Sequence, residues 1–210
     1  MAKKTAIDEI SKQVIDLYKQ IDQQTREFQI ATQLHCPTGC GRCCENPHVE
    51  ATPLEMVPLA VELFRQGEAA KWLEKSAEVN ETNACLFYEP DSDVPGNGRC
   101  QVYLWRPSIC RLFGYATVAD REGQPSFAAC MRHKADVPEA VTTIQKAIAN
   151  GLPAPSFAVS QQIAHLAPHL SAERMPLNQA LNVALRWVGL RLQMEEQVER
   201  SDTDSVQQSS

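Results

Sequence analysis

The stretch "HCPTGCGRCCENPH", from His35 to His48, holds four of the chain's eight cysteines, including the adjacent pair Cys43 and Cys44. Crowded cysteines indicate a disulfide framework in an oxidising compartment and metal or redox chemistry in a reducing one. The proline and glycines between these thiols are typical of a turn that lets several sulfur atoms converge on one ion. The stretch therefore predicts a metal centre built on a loop, and the fold is expected to form around it.

The beginning of the chain, "MAKKTAIDEISKQ", is charged and polar, with no apolar segment of the kind that a secretory signal contains. No run of about eighteen apolar residues occurs, so we expect no membrane span. These features predict a cytoplasmic protein whose thiols are free, metal-bound or catalytic. The net charge of −6 gives no attractive field for a polyanion. We therefore expect a metal ion as partner and no nucleic acid, while a protein partner is not indicated.

All eight cysteines are candidate metal ligands because they lie in one part of the chain and none occurs after position 130. The predicted ligands are Cys36, Cys40, Cys43, Cys44, Cys85, Cys100, Cys110 and Cys130. Eight thiols fit two four-sulfur sites, or one cluster with spare structural or redox-active cysteines, and spacing does not choose between them. Since adjacent side chains usually diverge, we expect Cys43 to ligate with Cys40, and Cys44 to face the distal cysteines.

The pattern along the chain predicts four segments. Apolar residues recur at steps of three and four in residues 1–34, which indicates an amphipathic helix. Residues 35–135 form the cysteine-rich module, residues 136–200 a helical segment, and residues 201–210 a polar, disordered tail. The predicted fold class is α+β, a small, irregular, cysteine-rich metal-binding module flanked by N- and C-terminal helices.

Local signals predict elements inside the module. The capping box "TPLE", Thr52 to Glu55, should open a helix towards Phe64, and Pro58 predicts a kink or a later start. Between Cys85 and Cys100 the turn-rich "DSDVPGNG" predicts a hairpin, and "LFGYATVAD" followed by "REGQ" predicts another strand and turn. Because such a module has a loop-rich core, a metal centre would supply stability that the core lacks.

Weaker candidates have a basic side chain near a cysteine or near another histidine: His35, His48, His133, His165, His169, Arg106 and Arg111. Pro168 interrupts the helical spacing of the last two histidines, which weakens them as a metal pair. The two arginines flank Cys110 and could donate hydrogen bonds to a thiolate centre. Alternatively, Arg106 pairs with a carboxylate such as Glu89 or Asp120.

The segment "CPTGCGRCC" and the later "YLWRPSICR", Tyr103 to Arg111, resemble the CxxCxxCC cysteine-cluster family, also called the YkgJ family, whose members are described as zinc- or iron-chelating proteins. The resemblance covers about Cys36 to Cys130. It departs from the family's spacing at the first cysteine, because three residues instead of two separate Cys36 from Cys40. It implies cysteine-ligated zinc or iron.

Two enzymatic alternatives stay open. Spacing of the form C-x3-C-x2-C, as in Cys36, Cys40 and Cys43, is also used by radical S-adenosylmethionine enzymes, but those need repeated βα units, which this pattern does not predict. The family resemblance adds a second alternative, because a related cysteine cluster occurs in a flagellin lysine methylase. The leading prediction is a metal-binding protein with a cysteine-ligated iron–sulfur cluster or zinc in a structural or redox role. Eight sulfurs and few convincing histidines slightly favour iron.

Overall fold

The computed structural model describes residues 5–80 and 82–207. The helices are α1 (Ala6–Thr32), α2 (Arg42–Glu45), α3 (Pro53–Arg65), α4 (Ala69–Glu78), α5 (Ser108–Leu112), α6 (Met131–Asp136), α7 (Pro138–Ala149), α8 (Ala158–Leu166), α9 (Pro168–Ser171) and α10 (Leu177–Gln207). The strands are β1 (Glu50–Ala51), β2 (Tyr88–Pro90), β3 (Gly98–Cys100), β4 (Thr117–Ala119), β5 (Pro125–Phe127) and β6 (Met175–Pro176). They form two-stranded antiparallel sheets, β1 with β6, β2 with β3 and β4 with β5. The α+β prediction with helices at both ends is confirmed.

Helix α1 buries the apolar stripe that the sequence predicts. A capping box holds its first turn, in which the Thr5 hydroxyl accepts a hydrogen bond from the Asp8 amide at 3.2 Å and the Asp8 carboxylate accepts one from the Thr5 amide. Most of the predicted stripe is fully buried: Ile7, Val14, Tyr18, Ile21 and Phe28. Because these side chains leave water, α1 gains most of its stability from packing on α3, α5 and α8.

Helix α3 begins at Pro53, as the capping box predicts. The Thr52 hydroxyl accepts a hydrogen bond from the Glu55 amide at 3.4 Å. The helix runs through Pro58 without ending, so the predicted late start is wrong. Leu54 and Leu59 beside that proline are buried in the main core, and we attribute the tolerance of the lost backbone hydrogen bond to their packing.

Helix α10 packs along α3 and α4 and closes the main core with Leu181, Leu185 and Val188. It extends to Gln207, so residues 201–207, predicted as a disordered tail, are helical in the structure. A helix already anchored by buried residues can add polar turns at little cost, because propagation needs no new nucleus. Residues 208–210 of the predicted tail lie outside the described residues.

The loop that carries the first cysteines is attached to the β2–β3 hairpin. The Gly98 amide donates to the Gly39 carbonyl at 2.7 Å, and the Gly41 amide donates to the Gly96 carbonyl at 3.2 Å. Cys40 and Asn97 form an antiparallel bridge between these bonds. The loop thus lies along the hairpin like a short extra strand, which brings distant cysteines together.

A second, smaller core lies at the far end of α1. Its buried members come from α1, the loop after it, the β4–β5 hairpin and α7: Phe28, Leu34, Tyr115, Phe127, Ala129, Ile144 and Ile148. This second core holds the segment around Tyr115 and Ala129 in place. In the described part of the chain, no helix combines the length and apolar character needed to cross a bilayer.

Candidate metal centre

Five cysteines from four segments lie together, and we call them the five-thiol cluster. They are Cys43 and Cys44 in α2, Cys85 in the loop before β2, Cys100 at the end of β3, and Cys110 in α5. The sulfur atoms of the adjacent pair are 4.0 Å apart, and the Cys85 amide donates to the Cys44 carbonyl at 3.0 Å. The cluster members are partly buried, and three of them pack against the main core. Thiols separated by up to 67 positions in sequence are therefore neighbours.

Tyr88 sets the distance between the loop and the hairpin. Its ring lies against the backbone of Gly41 and Gly98, and a Cβ added to either glycine would come within 2.3 Å of the ring. Its hydroxyl donates to the Asn97 carbonyl at 2.8 Å. Glycine is thus required at both positions because a side chain would push the loop away from β3, which carries Cys100 in register with Tyr88.

The adjacent thiols share one negative charge. A hydrogen bond from Cys44 lowers the pKa of the Cys43 thiol to about 7, and the same bond, together with burial, raises the pKa of Cys44. Burial raises the pKa of Cys85 to about 11 and raises that of Cys110. The charge of neighbouring cysteines also raises the pKa of Cys44, Cys85 and Cys110, so full deprotonation needs a cation in the cluster.

Arg106 is the cationic side chain of the cluster. Its Nη1 donates to the Cys110 carbonyl at 3.4 Å, its Nε donates to the Tyr103 carbonyl at 3.1 Å, and its guanidinium lies 3.5 Å from the Tyr103 ring centroid. Its charge opposes the effect of burial on the pKa of Cys100. The alternative pairing with Glu89 is wrong, because that carboxylate pairs with Arg99.

Asp120, the other carboxylate considered for Arg106, accepts backbone hydrogen bonds from Glu122 and Gln124 in its own turn. Arg111 is buried and has a structural role: it donates to Asp22 in α1 and lies 4.5 Å from the Tyr18 ring centroid. It therefore anchors α5 to α1, and none of these contacts is with a thiol.

Two predicted ligands, Cys36 and Cys130, lie in a second group around His133. The Cys36 amide donates to the Tyr115 hydroxyl at 2.8 Å, and that hydroxyl donates to the Cys36 sulfur at 3.2 Å. The Tyr115 and His133 rings meet edge to face with centroids 5.6 Å apart. The Cys130 sulfur caps α6 by accepting a hydrogen bond from the His133 amide at 3.3 Å.

His133 is 2% exposed, yet neither of its ring nitrogens has a hydrogen-bond partner in acceptable geometry. The sulfurs of Cys130 and Cys36 nevertheless stabilise its charged form and raise its pKa to about 10. Since no aligned hydrogen bond is formed, the contact is best described as an electrostatic one. Cys40 lies beside Arg132, the neighbour of His133 in α6, and the pKa of that guanidinium is raised mainly by its hydrogen bond with Asp136 and further by the Cys40 thiol.

The expectation that Cys43 and Cys44 diverge is wrong, because both sulfurs face the five-thiol cluster. They sit in the single turn of α2, where the sulfurs are held within hydrogen-bond distance. Cys44 lies beside Cys85 of the distal half, whose amide donates to the Cys44 carbonyl, and the approach of their two sulfurs around one metal stays a prediction. The remaining histidine candidates are exposed: His35, His48, His165 and His169.

From the sequence alone, His133 is a weak candidate for a metal ligand. The signal was the spacing Cys130-x-x-His133, which places sulfur and imidazole on one turn at the start of a helix. The spacing does not show that the imidazole is buried or that its nitrogens have no hydrogen-bond partner.

The donor chemistry of both groups fits zinc or iron, since thiolate and imidazole are ligands of both metals. Among residues 5–80 and 82–207, no three His, Cys, Asp or Glu side chains are placed so that they could hold a metal ion without moving. Metal binding would therefore move the sulfur atoms closer together, and these atoms are already near enough for their charges to interact. The unpartnered nitrogens of His133 are an independent indication that this group can bind a ligand.

Comparison with known proteins gave one family. Residues 35–135 match the model of the CxxCxxCC family, described as a "putative zinc- or iron-chelating domain". Neither the curated proteins nor the solved structures that were compared gave a match.

Proposed function

We propose that the chain is a metal-binding protein whose five-thiol cluster holds a cysteine-ligated iron–sulfur cluster, which agrees with the match of residues 35–135 to the model of the CxxCxxCC family. The observation that carries the proposal is the proximity of five thiols from four segments, beginning with the 4.0 Å sulfur contact of Cys43 and Cys44. Zinc bound by four of the same sulfurs is the alternative.

The composition of the cluster favours iron over zinc. All five grouped donors are thiols with no histidine among them, which slightly favours iron, and four of them would ligate either centre. Iron–sulfur clusters are held by cysteine thiolates, and hydrogen bonds and nearby charge set their reduction potential. Arg106, stacked on Tyr103 and bonded to the Cys110 carbonyl, supplies such a charge. A bound cluster would accept and donate single electrons, and Arg106 would favour its more negative state.

The position of the cluster supports a structural role beside a redox one. Metal would tie α2, the β2–β3 hairpin and α5 to one point, and α5 is already fixed to α1 through Arg111. The metal would thus join the loop-borne module to the helices. We propose the cytoplasm as its compartment, where reducing conditions would keep the thiols available to a metal.

The radical enzyme alternative has less support. It requires Cys36, Cys40 and Cys43 at one cluster. In the structure, Cys36 is hydrogen-bonded to Tyr115, and Cys43 is hydrogen-bonded to Cys44. The strands of the described residues pair as two-stranded antiparallel sheets, which differ from repeated βα units. The methylase-like alternative stays a prediction from the family resemblance.

The proposal is tested on full-length protein purified without oxygen. Iron, acid-labile sulfide and zinc are measured, together with the visible spectrum, in which iron–sulfur charge transfer absorbs and zinc–thiolate does not. We expect iron and sulfide in comparable amounts. Protein that contains zinc alone, or binds neither metal after reconstitution, would refute the iron–sulfur proposal.

Substitution assigns the metal to the five-thiol cluster. Cys85→Ser and Cys100→Ser should each remove most of the iron and the visible band. Ser92→Ala, in the exposed turn of the same hairpin, is the matched control and should retain both. Full iron content in both cysteine variants would contradict the assignment.

A further inference from the structure

The group around His133 has the features of a metal site in its own right. Its imidazole is 2% exposed, and both ring nitrogens lack a partner. A buried polar group without a hydrogen bond is destabilising, so native proteins seldom keep one unless it meets a ligand or water. Either ring nitrogen, once deprotonated, is therefore available to one metal ion, in a place that is buried from solvent.

The side chains beside the ring are the right donors. A Cβ placed on Gly114 would meet the Cys130 Cβ and the His133 Cε1 at 3.3 Å each, so these two side chains lie beside the same backbone position. Cys36 also lies near the His133 ring, and its sulfur accepts a hydrogen bond from the Tyr115 hydroxyl at 3.2 Å. The Tyr115 and His133 rings pack edge to face with centroids 5.6 Å apart.

A fourth donor is close in the same loop. Cys40 follows Cys36 after the turn at Pro37, where the Cys40 amide donates to the Pro37 carbonyl at 3.1 Å. Arg132 lies beside the Cys40 thiol and donates to the Asn97 side chain at 3.2 Å, so it holds this part of α6 against the turn of the β2–β3 hairpin, along which the cysteine loop lies. The first turn of α6 and the cysteine loop are thereby brought together.

From this arrangement we infer that Cys36, Cys40, Cys130 and His133 form a second metal site, separate from the five-thiol cluster, that binds zinc. Three thiolates and one imidazole are a common tetrahedral ligand set of structural zinc. The Tyr115 hydroxyl would keep its hydrogen bond to the Cys36 sulfur and orient that ligand. Cys36 is exposed and free to turn towards the ring when zinc binds. The inference holds whichever metal the five-thiol cluster binds, and iron in that cluster, as proposed above, serves to tell the two sites apart.

The experiment measures zinc and iron separately in the full-length protein and follows Co²⁺ as a spectroscopic substitute for zinc. The wild type should hold about one zinc per chain at this site, and Co²⁺ should give the intense absorption of a tetrahedral thiolate site. His133→Leu and Cys36→Ser should each lose that zinc and keep the iron. His165→Leu, which replaces an exposed histidine, is the matched control and should lose neither.

Two further variants keep the test decisive if His133→Leu folds poorly. His133→Cys offers a fourth thiolate, so it should restore zinc binding and shift the cobalt bands towards those of an all-sulfur site. Cys85→Ser should lose iron and retain zinc, which separates this site from the five-thiol cluster. The inference is overturned if Cys36→Ser keeps full zinc and an unchanged cobalt spectrum, if the wild type binds neither Zn²⁺ nor Co²⁺ here, or if Cys36→Ser loses iron and no zinc.

Discussion

The helical framework of α1, α3 and α10 and the cysteine module are held together by different forces. The framework buries continuous apolar faces, in which Val14, Leu54 and Val188 are fully excluded from water. The module has short hairpins, a single-turn α2 and thiols that remain partly exposed. Burial of apolar surface stabilises the framework by about 25 cal/mol per Å². The comparison indicates that the framework folds by its own core and that the module depends on its ligands.

The largest expected effect is that of removing metal. Chelation should release the loop from the β2–β3 hairpin and speed hydrogen exchange at the Gly41 and Gly98 amides, while the core of α1 and α10 stays protected. Structural zinc contributes on the order of 10 kcal/mol to the folding of zinc-finger peptides, so the melting temperature should fall clearly. Trp105 fluorescence should shift towards that of an exposed indole. Metal-free protein with unchanged melting and exchange would abolish the distinction between the two regions.

A cavity in the framework should lower the free energy of unfolding and leave the metal site unchanged. Leu181→Ala removes a side chain that is 1% exposed, and we expect a loss of about 2–5 kcal/mol in the free energy of unfolding, measured in urea. Metal content should not change because the ligands lie elsewhere. Val183→Ala on the same helix, where the side chain is 38% exposed, should stay within about 0.5 kcal/mol of wild type. Equal losses in both variants would show that α10 is not packed as described.

A change at the junction of loop and hairpin should affect both stability and metal. Gly41→Ala places a Cβ 2.3 Å from the Tyr88 ring, and such overpacking costs about 1–3 kcal/mol. We expect lower iron content as well, because the loop moves away from Cys100. All the nearest atoms belong to the Tyr88 side chain, so Gly41→Ala should cost less when Tyr88→Ala is also present. Strict additivity of the two changes would exclude this contact as the cause.

The smallest effect should come from a helix cap in the framework. Thr52→Ala removes the hydroxyl that accepts from the Glu55 amide, and the expected cost is about 1 kcal/mol. Thr52→Ser keeps the hydroxyl and should recover most of that loss. Both variants should retain wild-type iron and zinc. A metal loss in Thr52→Ala alone would show that the start of α3 is coupled to the module more strongly than its contacts indicate.

The elements with strong local signals could be predicted from sequence. The stripe from Ile7 to Phe28 repeats at the helical period, and the hydroxyl and carboxylate of Thr52 and Glu55 complete a cap within one turn, so both helices follow from contacts between near neighbours. The turn before Gly98 predicted the β2–β3 hairpin for the same reason. The end of α10 at Gln207 was missed, because helix propagation through polar residues depends on the anchored turns before them.

The sequence by itself determined that this is a cysteine-rich, α+β chain with a family-typical cluster and helices at both ends. Only the tertiary structure decided which thiols are neighbours. Cys43 and Cys44 share a site because α2 is a single turn held against the hairpin, while Cys36 turns to Tyr115 and His133. These groupings depend on contacts between residues 40 to about 100 positions apart, such as that of Cys36 with His133. Spacing along the chain carries no information on such contacts, since they are set by how the hairpins and helices pack.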